Sequence, residues 1–267
     1  MKVFELLSVA GAAGFVLMGA LNLEPAQGVE VAHYTFDDAS ALGADATGNY
    51  NGTPMGDASQ TAGVVGEGAL ALDGDGDIVH VGGGAGFSAL DDDGDGWSVT
   101  AWVQTSGNGG VQRVFSTYMP GGWNGGQGWG VGMRQDLGSP QLLSTTYGVV
   151  DMQQGTNVLD GNWHHVAYVF RNNAGSVATD YYVDGALESS AEPANGFGIN
   201  DTADDFVIGA LGLPTALQYF NGSIDDLRIF DNELSAGEVA AMVPEPMSVI
   251  SLTVGLLGLL AIRRRGR

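Results

Sequence analysis

The chain has 267 residues, a formal net charge of -22, 44 glycines and no cysteine. The lack of cysteine excludes disulfides, thiolate metal sites and thiol redox chemistry. So acidic a surface repels nucleic acid phosphate and anionic lipid while attracting divalent cations, so nucleic acid is excluded as a partner.

The many glycines, with Asp, Thr, Val and eight tyrosines and few lysines or arginines, favour short strands and tight turns over helices and predict one all-β domain. At the start, Lys2 and an apolar stretch from Leu6 to Leu21 precede a polar segment ending EPAQG. Ala26 and Gly28 place small residues at positions minus three and minus one of a signal peptidase site. A cleaved signal peptide over 1–28 is therefore expected, with signal peptidase as a processing partner and an uncleaved anchor as the alternative.

From residue 29 onward strand and turn alternate. VAHYTF (31–36), ALALDG (69–74) and DIVHVG (77–82) come first. In WSVTAWVQT (97–105), Trp97, Val99, Ala101 and Val103 share one face and Ser98, Thr100, Trp102 and Gln104 the other. QRVFSTY, GWGVGMR, PQLLSTT, WHHVAYVFR, DYYVDG, DFVIGA and SIDDLRIF follow. So many short strands predict two packed antiparallel sheets, with Trp97, Trp102 and Trp163 in the core. Asp184-Gly185 marks a two-residue hairpin, because a type I′ turn needs positive φ at both central positions. SAGEVAAM (235–242) reads as a helix, with Ser235 as N-cap and Glu238 completing a capping box.

Acidic turns are candidate cation sites, since calcium takes six to eight oxygen ligands. DDDGDG (91–96) puts Asp91, Asp93 and Asp95 at positions one, three and five of a calcium loop, with Gly96 at six. Position twelve is Trp102 rather than a bidentate Glu, which rejects a full EF-hand and leaves a partial calcium loop or a solvated acidic turn. DGDGD (73–77) shares the alternation but has Ile78 at its sixth position, and its simpler reading is a hairpin turn. In MPGGWNGGQGWG (119–130), Trp123, Asn124 and Trp129 offer aromatic and amide groups for a saccharide, with Tyr118 and Tyr147 as helpers. For catalysis the sequence offers little: His164 and His165 sit in a strand, no serine lies in a nucleophile elbow, and GxxxxGK[ST] and HExxH are absent.

HYTFDD, ADATGNYNGT, GEGALALDGDGDIVHV, WSVTAWVQT, GNWHHVAYVF, YYVDGAL and FNGSIDDLRIFDNELSAGEVAAM, in this order, resemble the laminin-G-like branch of the concanavalin-A-like jelly rolls over residues 29–243. The resemblance implies an all-β, two-sheet antiparallel jelly-roll sandwich with a structural calcium ion where the first and last strands meet. Carried onto this chain, its ligands would be Asp37, Asp45, Asn49 or Asn51, and Asp225. The alternative is that Asp45 and Asn49 form Asx turns and Asp225 accepts backbone amides. Related laminarinase-type enzymes carry a Glu-x-Asp-x-x-Glu pattern that this chain lacks, which implies a non-catalytic protein. Three roles stay open: a calcium-stabilised binder of polysaccharide or matrix glycans, a structural matrix component without a ligand pocket, and a divergent glycoside hydrolase.

The chain ends with Pro244-Glu245-Pro246, an apolar run from Met247 to Ile262, and Arg263, Arg264 and Arg265. Sixteen residues at about 1.5 Å each span about 24 Å, so a transmembrane helix over 247–262 would need its arginines to snorkel. The arginines would stay in the cytoplasm, leaving the domain outside the membrane. These residues resemble the PEP-CTERM sorting signal of Gram-negative bacteria, which implies an exosortase as partner and delivery to the cell surface or extracellular matrix. A plain tail anchor is the simpler alternative.

Overall fold

The computed structural model describes residues 29–82, 96–117, 129–146, 150–173, 176–191, 205–212 and 217–243. The expected signal peptide, the acidic residues 91–95, Tyr118, Trp123, Asn124, Tyr147 and the sorting signal with its apolar run lie outside them. No helix among the described residues is long and apolar enough to cross a membrane.

In chain order the elements are β1 (Glu30–Tyr34), β2 (Thr53–Met55), β3 (Ser59–Thr61), β4 (Ala69–Asp73), β5 (Ile78–Gly82), β6 (Trp97–Gln104), β7 (Val111–Thr117) and β8 (Trp129–Arg134). They continue with β9 (Gln141–Thr146), β10 (Val150–Gly155), β11 (Trp163–Asn173), β12 (Ser176–Val183), β13 (Ala186–Ala191), β14 (Asp205–Ile208), β15 (Asn221–Phe230) and α1 (Ala236–Ala241). One sheet has eight strands in the order β13-β12-β11-β6-β15-β4-β3, with β1 also paired to β15, and the other has seven in the order β10-β9-β8-β7-β14-β5-β2. Every pairing is antiparallel. The expected all-β sandwich is the observed one.

Alternation explains the core. Trp97, Val99, Ala101 and Val103 of β6 point between the sheets, where Trp97 stacks on Phe170 with centroids 4.5 Å apart. Trp129 joins them, 5.6 Å from Trp97 and 5.3 Å from Phe115, and is only 2% exposed. This corrects the expectation of Trp129 as an exposed ligand-binding residue: as the first residue of β8 it alternates inward with Val131 and Met133. Trp163 is half-buried rather than a core residue.

The opposite face of β6 is buried too. The chain after β15 folds back over it, so that Ser98 Oγ donates to Asn232 O and accepts from Leu234 N. Helix α1 then seats Val239 on a second apolar cluster of Ala167, Val169, Tyr182, Phe230 and Leu234. Its capping box forms as expected, with Glu238 N donating to Ser235 Oγ and Ser235 N donating to the Glu238 carboxylate.

The Asp184-Gly185 hairpin is also as expected: φ is 49° and 79° at the two positions, between β12 and β13. The 73–77 segment is not a hairpin turn. It carries the chain from β4 in the eight-stranded sheet to β5 in the seven-stranded one, an arch across the sandwich.

Candidate functional site

Acidic side chains cluster where β15 changes partners. Its first half, Asn221 to Ile224, pairs with β4, and its second half, Leu227 to Phe230, pairs with β1. Asp225 and Asp226 fall at the changeover, where the register with β6 slips and Asp226 takes a φ of 46°.

Asp225 is wholly buried; its Oδ2 accepts from Val64 N at 2.7 Å and Val65 N at 2.9 Å, while Oδ1 has no partner in the protein. Burial pushes its pKa up, against the backbone amides that favour the anion. Asp37 holds the same loop from the other side, accepting from Glu67 N and Gly68 N. The expected ligands Asp37 and Asp225 are thus joined through residues 64–68.

Asp45 serves another loop. Its oxygens accept from the amides of His33, Thr47, Asn49 and Tyr50 and from Thr47 Oγ1, at 2.5–3.1 Å. Burial alone would raise its pKa, but these donors hold it below the usual carboxylate range. Five donors fill the roughly four lone-pair sites of a carboxylate, so Asp45 has nothing left for a cation. Asn49 donates its side-chain amide to Thr47 Oγ1, and Asn51 accepts from Asp45 N. The expected quartet therefore divides between two loops, and the Asx-turn alternative describes Asp45.

The neighbouring Asp226 anchors an ion-pair network. His33 places Nε2 2.7 Å from Asp226 Oδ1 and Nδ1 2.9 Å from Glu30 Oε1, while Arg228 reaches both Asp226 oxygens at 3.0 Å. Burial works against the Asp226 anion, but His33 and Arg228 keep its pKa low. The run of two aspartates in SIDDLRIF is the sequence signal for this pair.

Among the described residues, three carboxylates converge at the sheet-to-sheet arch: Asp57, Asp73 and Asp77, with ligand oxygens within 4.8 Å of one another. Asp77 is buried and accepts from Asp57 N at 2.7 Å and Asp73 N at 3.2 Å. Its pKa is raised, first by burial and then by the nearby acids. Asp73 and Asp77 belong to the DGDGD segment; Asp57 carried no signal of its own.

The outer face of the seven-stranded sheet carries a polar floor. Arg113 on β7 is almost fully buried, donating to Thr145 Oγ1 on β9 at 2.7 Å and to Gln218 Oε1 at 2.8 Å. To reach Thr145 its guanidinium passes β8 beside Gly130 and Gly132, two of the three β8 residues on that face. A side chain at Gly132 would meet the Gln112 carbonyl oxygen at 2.1 Å. On β11, His164 lies between Asp184 (2.9 Å) and Asp160 (3.2 Å), whereas His165 is buried beside Trp102.

The family model described as the concanavalin A-like lectin/glucanases superfamily, Laminin_G_3, matches residues 76–240. Domain 4 of AbnA, a GH43 extracellular arabinanase from Geobacillus stearothermophilus, solved in complex with arabinotriose, aligns with 22% identity and a TM-score of 0.58 over 81% of this chain and 99% of that one. The receptor binding domain of botulinum neurotoxin C/D mosaic serotype aligns with 17% identity and a TM-score of 0.58 over 80% of this chain. This chain spans 50% of that toxin domain. The comparison with curated proteins finds no significant match. At these identities the solved structures establish a shared fold, and the family model covers more than half of the chain. Together with the two-sheet sandwich, this makes the chain a member of the concanavalin A-like lectin/glucanases superfamily, in its laminin-G-like branch.

Proposed function

We propose that the protein is an exported, non-catalytic glycan-binding module, sorted to the cell surface or extracellular matrix and stabilised by calcium. The observation carrying the glycan reading is that the sandwich corresponds to nearly the whole of an arabinanase domain solved in complex with arabinotriose. The outer face of the seven-stranded sheet is the surface assigned to the sugar, with the half-buried Gln218 as a contact and the buried Arg113, held by Thr145, positioning it. Trp123 and Asn124, which fall between β7 and β8 in the sequence, are the aromatic and amide groups proposed to contact the sugar. A protein of net charge -22 favours neutral glycans over uronate-bearing ones.

For calcium, the buried and unpartnered Oδ1 of Asp225 suits a hard cation, with Asp37 bound to the same loop. Asp45 is not part of that shell. The ion would neutralise a carboxylate that burial otherwise disfavours and would brace the changeover in β15. Export and sorting rest on the signal peptide and the Pro244-Glu245-Pro246 tail.

The test is a glycan array probed with residues 29–243, with calcium and with chelator. Saturable binding to neutral glycans, weakened by Gln218→Ala, is expected. Silence across bacterial, plant and algal glycans overturns the reading, and release of reducing ends would make the protein an enzyme instead.

A further inference from the structure

Trp102, His165 and Thr100 lie on the outer face of the eight-stranded sheet, turned away from the main core. Trp102 on β6 is the registered partner of His165 on β11, and their rings meet edge-on with centroids 5.5 Å apart. Thr100 precedes Trp102 by two residues and so shares its face. The three are 7%, 2% and 1% exposed. Trp102 Nε1, His165 Nδ1 and Thr100 Oγ1 are each sealed from solvent, and none has a hydrogen-bond partner in the protein. Buried polar atoms are nearly always partnered, so three orphans at adjacent positions point to a shared occupant.

We propose that these three atoms line a buried hydration site holding one ordered water molecule. The chemistry of the donors selects the occupant. An indole N–H can only donate, so the occupant accepts; an unprotonated imidazole nitrogen can only accept, so the occupant also donates; the threonine hydroxyl does either. A metal cation cannot accept from the indole, and an apolar group satisfies none of the three. Water does both, and buried waters make about three hydrogen bonds each. The assignment fixes His165 as the neutral tautomer with its proton on Nε2. Burial supports a neutral ring, pushing the His165 pKa down to about 4; among the charged groups around it, Asp226 and Asp184 oppose the shift and Arg228 adds to it. The sugar surface belongs to the other sheet, whereas Asp225 is the registered partner of Trp102 on β15 and shares its face; the water assignment requires no cation at Asp225.

The test combines crystallography at a resolution that shows ordered water with NMR of the isotopically labelled protein. The expected result is water density within hydrogen-bond distance of Trp102 Nε1, a water cross-peak to the Trp102 indole proton, and His165 as the Nε2–H tautomer at neutral pH. Thr100→Ser should keep the cross-peak. Trp102→Phe, checked for folding by circular dichroism, should lose the water density. A direct bond from the indole to a protein oxygen with no water density, or an Nδ1–H tautomer, overturns the proposal.

Discussion

Lowering the pH from 7 to 5 should destabilise the domain through His165. Its folded pKa of about 4 lies below the ordinary histidine value of 6.5, chiefly because burial penalises the imidazolium. Between those values the unfolded chain binds a proton that the folded domain refuses. Stability is therefore fully present above pH 6.5 and is lost as pH falls toward 4. The complete loss is about 3 kcal/mol, from roughly 2.5 pKa units at 1.36 kcal/mol each, and about 2 kcal/mol of it is gone by pH 5. His165 is 2% exposed, so solvent screening does little to reduce this. The adjacent His164 behaves oppositely: burial lowers its pKa, but Asp184 and Asp160 outweigh burial and raise it. Its contribution is present at low pH and is lost as pH rises through the raised value. Urea denaturation at half-unit steps from pH 7 to 4.5, on wild type and His165→Gln, isolates the effect, because the other titrating groups are common to both proteins. The stability difference between the two should shrink or reverse by about 2 kcal/mol between pH 7 and 5. A difference that stays constant across that range refutes the reasoning.

Asp45→Ala should cost about 3–5 kcal/mol, since it strands several buried donors at once, and should appear as a lower urea midpoint with an unchanged slope. Gly185→Ala should cost about 1–2 kcal/mol, because φ is 79° there and the new Cβ would sit 3.2 Å from Ala240 Cα; thermal unfolding measures it. Calcium should raise the melting temperature of wild type and of Asp77→Asn but not of Asp225→Asn, and the reverse pattern would move the ion to the arch. In cells lacking the exosortase, the protein should keep its tail, run larger on a gel and remain with the inner membrane fraction.

Much of the fold was legible because alternation and turn chemistry are local. WSVTAWVQT states its inward face outright, and Asp184-Gly185 and the Ser235–Glu238 box each name a turn or cap within four residues. The short edge strands β2 and β3 were not legible, since TPM and SQT carry no apolar alternation and gain their place only from a neighbouring strand. Trp129 misled because its glycine-rich surroundings suggest exposure, whereas its position opening β8 turns it inward. The DGDGD segment has the composition of a hairpin turn, and only the sheet order shows that it crosses between layers. At the site, the resemblance pointed to Asp37, Asp45 and Asp225 as cation ligands, and each of them accepts backbone amides. Which of them keeps a spare lone pair depends on amides up to 161 positions away in sequence, and no motif encodes that.

The shared use of β15 also sets the order in which the chain can mature. This strand lies between β6 on one side and both β4 and β1 on the other, yet it is the last of the described strands in chain order. At about 5–20 residues per second, β1 waits roughly 10–40 s for its partner to emerge from the ribosome. Through that interval β1, β4 and β6 each present an unpaired edge, open to pairing with another chain. A chain ending before residue 221 would thus be not a smaller domain but a set of strands with open edges on β1, β4 and β6.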